Sequence, residues 1–182
     1  MARREFDLVI FGASGFTGRL VAEHVAKGSD KPRWAIAGRN REKLEGLGFG
    51  VPILVADAHD REALDELARR THVVCTTAGP YAKYGSDLVA ACAEAGTHYC
   101  DLTGEVQWMR RMIDAHDARA RATGARIVHT CGFDSIPSDM GTWALQQEMI
   151  KAFGAPATKV TALFGESRGT LSGGTVASGM ET

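Results

Sequence analysis

The sequence contains no long apolar run. Met1 to Asp7 is polar, and the apolar stretch that follows, Leu8 to Phe11, stops at Gly12. A secretory segment needs more apolar length than this, and a membrane-spanning helix needs about 20 such residues. Neither pattern occurs, so the expected location is the cytoplasm. No charge sign dominates either. With 21 Lys and Arg against 22 Asp and Glu, the formal net charge is −1, and no overall field draws the chain to nucleic acid or to an anionic membrane. Cysteine is scarce: Cys75, Cys92, Cys100 and Cys131 include no Cys-x-x-Cys pair. They are expected to be reduced thiols, mostly buried. The six histidines form no zinc-ligand spacing with Cys, Asp or Glu, and no metal is expected. What remains is an ordinary globular composition, 45% hydrophobic and 24% charged over 182 residues, enough for a self-supporting core.

Short apolar runs alternate with segments of helical period. Strands are expected at 7–11, 34–37, 52–56, 72–77, 98–100 and 126–130, with a seventh at 159–164. Helices are expected at 17–27, 41–47, from Asp60 as N-cap through Ala68, 86–95, 105–123 and from Pro137 to about Phe153. Gly28 is read as a left-handed helix end, and Val106, Met109, Ile113 and His116 as the inward stripe of the long helix. Repeated strand–helix units need right-handed crossovers, which give a parallel sheet covered on both faces. The fold class is therefore α/β, a doubly wound parallel sheet spanning roughly residues 5–155. The tail from Ser167 to Thr175 is rich in Gly, Ser and Thr and reads as a crossing into a second domain.

The first strand runs into Gly12-Ala13-Ser14-Gly15-Phe16-Thr17-Gly18. Gly12 permits a tight turn, Gly15 lets backbone amides approach a pyrophosphate, and Gly18 allows the helix to pack closely on the strand. The helix N-terminus then offers unpaired N–H groups to phosphates. The spacing is G-x-x-G-x-x-G, and its setting between strand and helix supports a dinucleotide site. At the end of the second strand a carboxylate normally accepts from the ribose 2′-OH of NAD. Here stand Gly38-Arg39-Asn40-Arg41. Arg39 can pair with a 2′-phosphate, so NADP is the expected cofactor. Asp57, after the third strand, is either an adenine contact or a turn residue. Ala78-Gly79-Pro80, after the fourth, either leave room for the nicotinamide-side ribose or simply end the strand.

Other constellations do not form. Tyr81, Tyr84 and Tyr99 each lack a Lys four residues on, so the Tyr-x-x-x-Lys dyad is absent. Ser14 is not a nucleophile elbow, because Phe16 stands where glycine is required. Arg110, Arg111, Arg119, Arg121 and Arg126, interspersed with Asp114 and Asp117, read as a solvated helix face. Asp101 and Asp134 follow the fifth and sixth strands, and for both the loop-ordering reading is preferred to proton transfer. No catalytic residue is assigned.

The glycine loop, Ala37-Gly38-Arg39, Ala78-Gly79-Pro80-Tyr81, the stretch Tyr99 to Glu105 and the stretch Gly132 to Asp139 together resemble the saccharopine-dehydrogenase-like oxidoreductases, most nearly the trans-acting enoyl reductases. The resemblance implies a Rossmann domain over residues 1–155 holding NADPH. Residues 156–182 then lead into a truncated substrate domain, because members of the family are about twice as long. It also implies hydride transfer from NADPH to an enoyl group on a lipid or polyketide chain, with a polyketide synthase as partner. In the saccharopine branch the acceptor is an amino-acid carbon–nitrogen centre instead. A non-catalytic NADP-binding sensor or scaffold is the reading from a different class.

Overall fold

The structure, a computed structural model, describes residues 4–166. The strands are β1 (Phe6–Phe11), β2 (Trp34–Gly38), β3 (Ile53–Val55), β4 (Thr71–Thr76), β5 (His98–Cys100) and β6 (Ile127–Val128). The helices are α1 (Phe16–Lys27), α2 (Arg41–Glu45), α3 (Arg61–Arg70), α4 (Tyr81–Tyr84), α5 (Ser86–Ala95), α6 (Val106–Thr123) and α7 (Ile136–Phe153). The strands form one parallel sheet in the order β3-β2-β1-β4-β5-β6. The chain winds outward from β1 in one direction, then returns to β1's other side at β4. That reversal opens a crevice at the carboxyl ends of β1 and β4, the place where ligands bind in sheets of this kind.

β1 is apolar on both sides because both sides are covered. Val9 and Phe11 join the core that contains Leu64 and Leu67 of α3, Leu88 and Val89 of α5 and Trp108 of α6. Ile10, between them in sequence, joins Ile36, Ala22 of α1 and Leu44 of α2 in the core on the other face. Burying a side chain such as Ile10 or Leu64 contributes about 1.5–3 kcal/mol. Asn40 and Asp60 cap α2 and α3 by accepting from the amides of Lys43 and Ala63. The arginines of α6 lie on its solvated face, where Arg110 pairs with Asp114 and Arg121 with Asp117.

Several expectations need correction. Gly28 is not left-handed (φ −59°, ψ 155°): its N–H still bonds the carbonyls of His24 and Val25, and the chain then leaves α1 in an extended conformation. The left-handed helix ends are Gly96, Gly124 and Gly154. The inward face of α6 is rotated from the expected stripe: Trp108 and Ala120 are buried, whereas Val106 and Ile113 are exposed. The indole sets that phase, since it lies between the rings of Tyr81 and His129. Residues 159–164 form no strand and are mostly exposed. A strand needs a ladder partner, and β6, the edge beside which a seventh strand would lie, is only two residues long. Of the cysteines only Cys92 is buried; all four are free thiols. The Gly/Ser/Thr-rich tail lies outside the described residues. No helix among the described residues is long and apolar enough to cross a membrane.

The β5–β6 edge carries a pH dependence. His98 Nδ1 accepts from the amide of Arg126 at 3.1 Å, which requires the unprotonated nitrogen. Partial burial, then the charges of Arg126 and Arg4, hold the His98 pKa below its ordinary value. The folded-state pKa is thus lower than the unfolded one, near 6.5. The contribution is complete above the unfolded value and is lost as pH falls through the folded one. The urea midpoint of the wild type should fall more steeply from neutral pH toward pH ~5 than that of His98→Gln. Parallel curves would remove His98 from the account.

Candidate functional site

The crevice at the switch in strand order is a cleft of about 480 Å³. Its floor is the turn between β1 and α1. Gly12 has φ +83°, and a Cβ there would stand 3.1 Å from both the amide nitrogen and the Cβ of Ala78, so two features of the position favour glycine. Gly18 is tighter still, since a Cβ would fall 2.2 Å from the Gly12 carbonyl oxygen. The two glycines together let α1 lie directly against the end of β1.

Close packing leaves the first turn of α1 facing the cleft with its donors unspent. Gly15 is the N-cap but has no side chain to cap with, and the first turn carries no acidic residue. Ala13 N–H donates to Ala37, Gly15 N–H to Gly12 and Arg19 N–H to Gly15. The amides of Phe16, Thr17 and Gly18 have no acceptor among the described residues, as the geometry of a helix start dictates. Phe16 and Thr17 line the cleft, and free N–H groups at the positive end of a helix make an anion site.

On the second-strand side, Gly38 and Arg39 line the cleft. Arg41, two residues on, pairs with Glu45, and Asn40 caps α2. Arg39 forms no ion pair among the described residues, so its exposed guanidinium is free to meet a ligand. Asp57 lines the same cleft while one of its oxygens, Oδ1, accepts from the His59 amide at 2.9 Å. It is a turn residue whose position also faces the cleft. The far wall is Thr77-Ala78-Gly79-Pro80 with Tyr84. Thr77 is tied to β1 through its amide, which donates to Phe11 O at 3.0 Å.

Two groups that the sequence reading left unassigned hold that far wall. Glu105 is buried, and its carboxylate accepts from the amides of Tyr81 and Ala82, both at 2.7 Å. A carboxylate brought from 24 residues away thus caps the short helix α4, which the pattern reading did not anticipate. The Tyr81 hydroxyl donates to Thr76 O at 3.2 Å and accepts from Leu102 N at 3.4 Å. Burial pushes the Tyr81 pKa well above its usual value, so the hydroxyl keeps its proton and can play both parts.

Beyond this wall, Asp101 is a loop-ordering group. Its carboxylate accepts from the amides of Thr103 and Thr130 and from the Tyr99 hydroxyl, and lies 2.6 Å from His129 Nδ1. It joins the ends of β5 and β6, where Thr130 adopts φ +61°. Asp134 is exposed.

Of the residues expected to form a dinucleotide site, Gly12, Ser14, Gly15, Phe16, Thr17, Arg39, Asp57, Ala78, Gly79 and Pro80 meet around the cleft. Ala13 and Gly18 do not line it; both are buried behind the loop. Phe11, Ala56, Ala58 and Tyr84 line it without having been singled out. Only Tyr84 carried a usable signal, as an aromatic just beyond Ala78-Gly79-Pro80. No cluster of three or more metal-ligating side chains occurs among the described residues.

Known proteins resemble the chain in sequence and in fold. Residues 8–128 match the family model described as the saccharopine dehydrogenase NADP binding domain. A Mycobacterium tuberculosis protein named as a trans-acting enoyl reductase is 46% identical over 185 residues, covering 98% of this chain and 44% of the relative. The Mycobacterium leprae trans-acting enoyl reductase is 49% identical over 156 residues, covering 82% of this chain and 37% of its own length. The chain therefore spans less than half the length of these relatives. Among solved structures, the apo saccharopine dehydrogenase (L-Glu forming) of Saccharomyces cerevisiae superposes with a TM-score of 0.67 at 19% identity, over 81% of this chain and 32% of that one. The Citrobacter triphenylmethane reductase complexed with NADP(H) gives a TM-score of 0.53 at 20% identity, over 68% and 48%. At such identities the structures speak for the fold.

Proposed function

Since the chain belongs to the family of saccharopine dehydrogenase NADP-binding domains, we propose that its cleft holds NADPH for the reduction of an enoyl group on a lipid or polyketide chain. One observation carries this reading: helix amides that find no acceptor among the described residues, and an arginine that forms no ion pair among them, line the same cleft. The Gly12–Gly18 turn holds the pyrophosphate, with Ser14 and Thr17 at the cleft surface and Ala13 and Gly18 shaping the turn from behind. Arg39 pairs with the 2′-phosphate, Asp57 borders the adenosine end, and Ala78, Gly79 and Pro80 leave space for the nicotinamide-side ribose. The bound coenzyme supplies a hydride, and the protein's part is to orient it.

The enoyl substrate rests on the relatives' names and their extent of identity. A carrier-bound chain on a polyketide synthase fits the words "trans-acting" in those names. A cytoplasmic setting, where thiols stay reduced, fits the four free cysteines. Residues up to about 155 form the coenzyme half, and 156–182 lead toward a substrate half.

Calorimetric titration tests the coenzyme reading. A charge-assisted hydrogen bond contributes about 1.5–3 kcal/mol, so Arg39→Ala should weaken NADPH binding by about tenfold to a hundredfold and leave NADH nearly unchanged. An unaltered preference removes Arg39. NADPH oxidation with enoyl thioesters, with saccharopine and with no substrate then separates the reductase from the amino-acid oxidoreductase. Tight binding without turnover by any form of full family length would point to a sensor instead.

A further inference from the structure

β4 and β5 run parallel with Cys75 and Cys100 directly paired in register. Paired residues on neighbouring strands project to the same face, and such strands lie about 4.8 Å apart. That spacing falls inside the Cα separation of about 4.4–6.8 Å that a disulfide spans. Both residues are only half-buried, and β6 beside them exposes Val128 on its way to the edge. A small oxidant can therefore reach the pair. The two thiols also differ. Cys100, donating toward Cys75, holds the Cys75 thiol below its ordinary pKa, while Cys100 itself is pushed up by Cys75 and by burial. One sulfur is thus readied as a nucleophile and its neighbour is kept protonated. Cys92 is fully buried in α5, and the exposed Cys131 lies near enough for its charge to act on Cys75.

We propose that Cys75 and Cys100 are an oxidisable dithiol that closes to a disulfide across β4 and β5, beside the coenzyme cleft. The oxidant is a hydroperoxide. With hydrogen peroxide, the Cys75 thiolate attacks one oxygen and the O–O bond breaks, giving a sulfenic acid at Cys75 and a hydroxide that takes up a proton. Cys100 sulfur then attacks the Cys75 sulfur, the S–O bond breaks, and the Cys100 proton leaves with the hydroxyl as a second water. Two thiols are oxidised by two electrons, and one peroxide is reduced to two waters.

The bridge is built to be reversible. Side by side on parallel strands, the two Cβ atoms stand near the strand spacing, wider than the usual separation of about 3.5–4.5 Å. Closing the bond draws β4 and β5 together, and strained disulfides are the readily reduced ones. The pull also reaches the cleft. Cys75 is followed by Thr76 and by Thr77, whose amide is bonded to Phe11 O, and Ala78 packs over Gly12. Moving the end of β4 toward β5 shifts that wall from the glycine turn, so the oxidised protein should bind NADPH severalfold more weakly. This last effect rests on the proposed coenzyme site; the bond itself does not.

The test exposes the reduced 182-residue chain to hydrogen peroxide and follows intact mass, peptide maps and NADPH affinity. The expected result is a loss of two hydrogens, a Cys75–Cys100 linked peptide, weaker NADPH binding, and recovery of all three with dithiothreitol. Cys75→Ser and Cys100→Ser should each abolish the linked peptide, while Cys131→Ser should retain it. A bridge to Cys131, or oxidation confined to Cys131, overturns the assignment. A Cys75–Cys100 bridge with unchanged NADPH affinity overturns the coupling to the cleft. Reduced protein that forms the bridge yet never binds NADPH supports the dithiol and refutes the coenzyme reading.

Discussion

Alanine at position 18 should destabilise the chain by about 3 kcal/mol, at the upper end of ordinary overpacking, and abolish measurable NADPH binding. The added methyl would sit 2.2 Å from Gly12 O and 2.8 Å from Ala13 Cα. Both are backbone atoms at the junction of β1 and α1, so no side chain can swing away. Relief requires α1 to lift from the strand, which carries the amides of Phe16 and Thr17 away from the cleft. Gly15→Ala is the control. Its methyl would meet only Gly12 O, at 3.3 Å, so stability should be largely retained while NADPH binding falls. Urea unfolding and calorimetry read the two quantities separately. Wild-type stability and affinity in Gly18→Ala would show that the helix can shift without consequence, against the close-packing account.

Glu105→Ala should lower stability by a similar amount, about 3 kcal/mol, because it strands two amide donors. Leaving one buried donor unsatisfied costs about 1–3 kcal/mol, and bonds to a charged acceptor are the stronger kind. Tyr81 N and Ala82 N each lie 2.7 Å from the carboxylate, and neither has a carbonyl to turn to at the start of α4. Glu105→Gln keeps one acceptor oxygen but turns an NH2 toward the other amide, so its loss should be intermediate to large. NADPH affinity should fall in both variants through displacement of Gly79 and Pro80. A urea midpoint unchanged in Glu105→Ala would mean that water caps α4 equally well.

These cases mark what could be read from the chain before its structure. The strand, turn and helix around Gly12–Gly18 were legible because glycine spacing reports a steric requirement that acts within seven residues. The place of Arg39 at the cleft was legible because the end of the second strand is a fixed place in a doubly wound sheet. Asp60 was visible as a cap for the same local reason. Glu105 was not, since its partners lie 23 and 24 residues upstream and nothing in Thr103-Gly104-Glu105 records them. The phase of α6 was missed because periodicity weighs Val106 and Ile113 as heavily as Trp108, whereas one large ring packed tilted against Tyr81 and edge-on to His129 decides the rotation. A strand over residues 159–164 was expected on composition, yet a strand exists only where a neighbour can complete its hydrogen bonds.

The phenol oxygen of Tyr81 touches the ends of two strands at once, Thr76 at the last position of β4 and Leu102 just beyond β5. Leu102 adjoins Asp101, which clasps His129 and the amide of Thr130. A single atom is thus the crossbar between the far wall of the cleft and a polar knot at the sheet's outer margin. If filling the cleft shifts Thr76, linkage requires any rearrangement of the knot that follows to act back on the cleft by the same free energy.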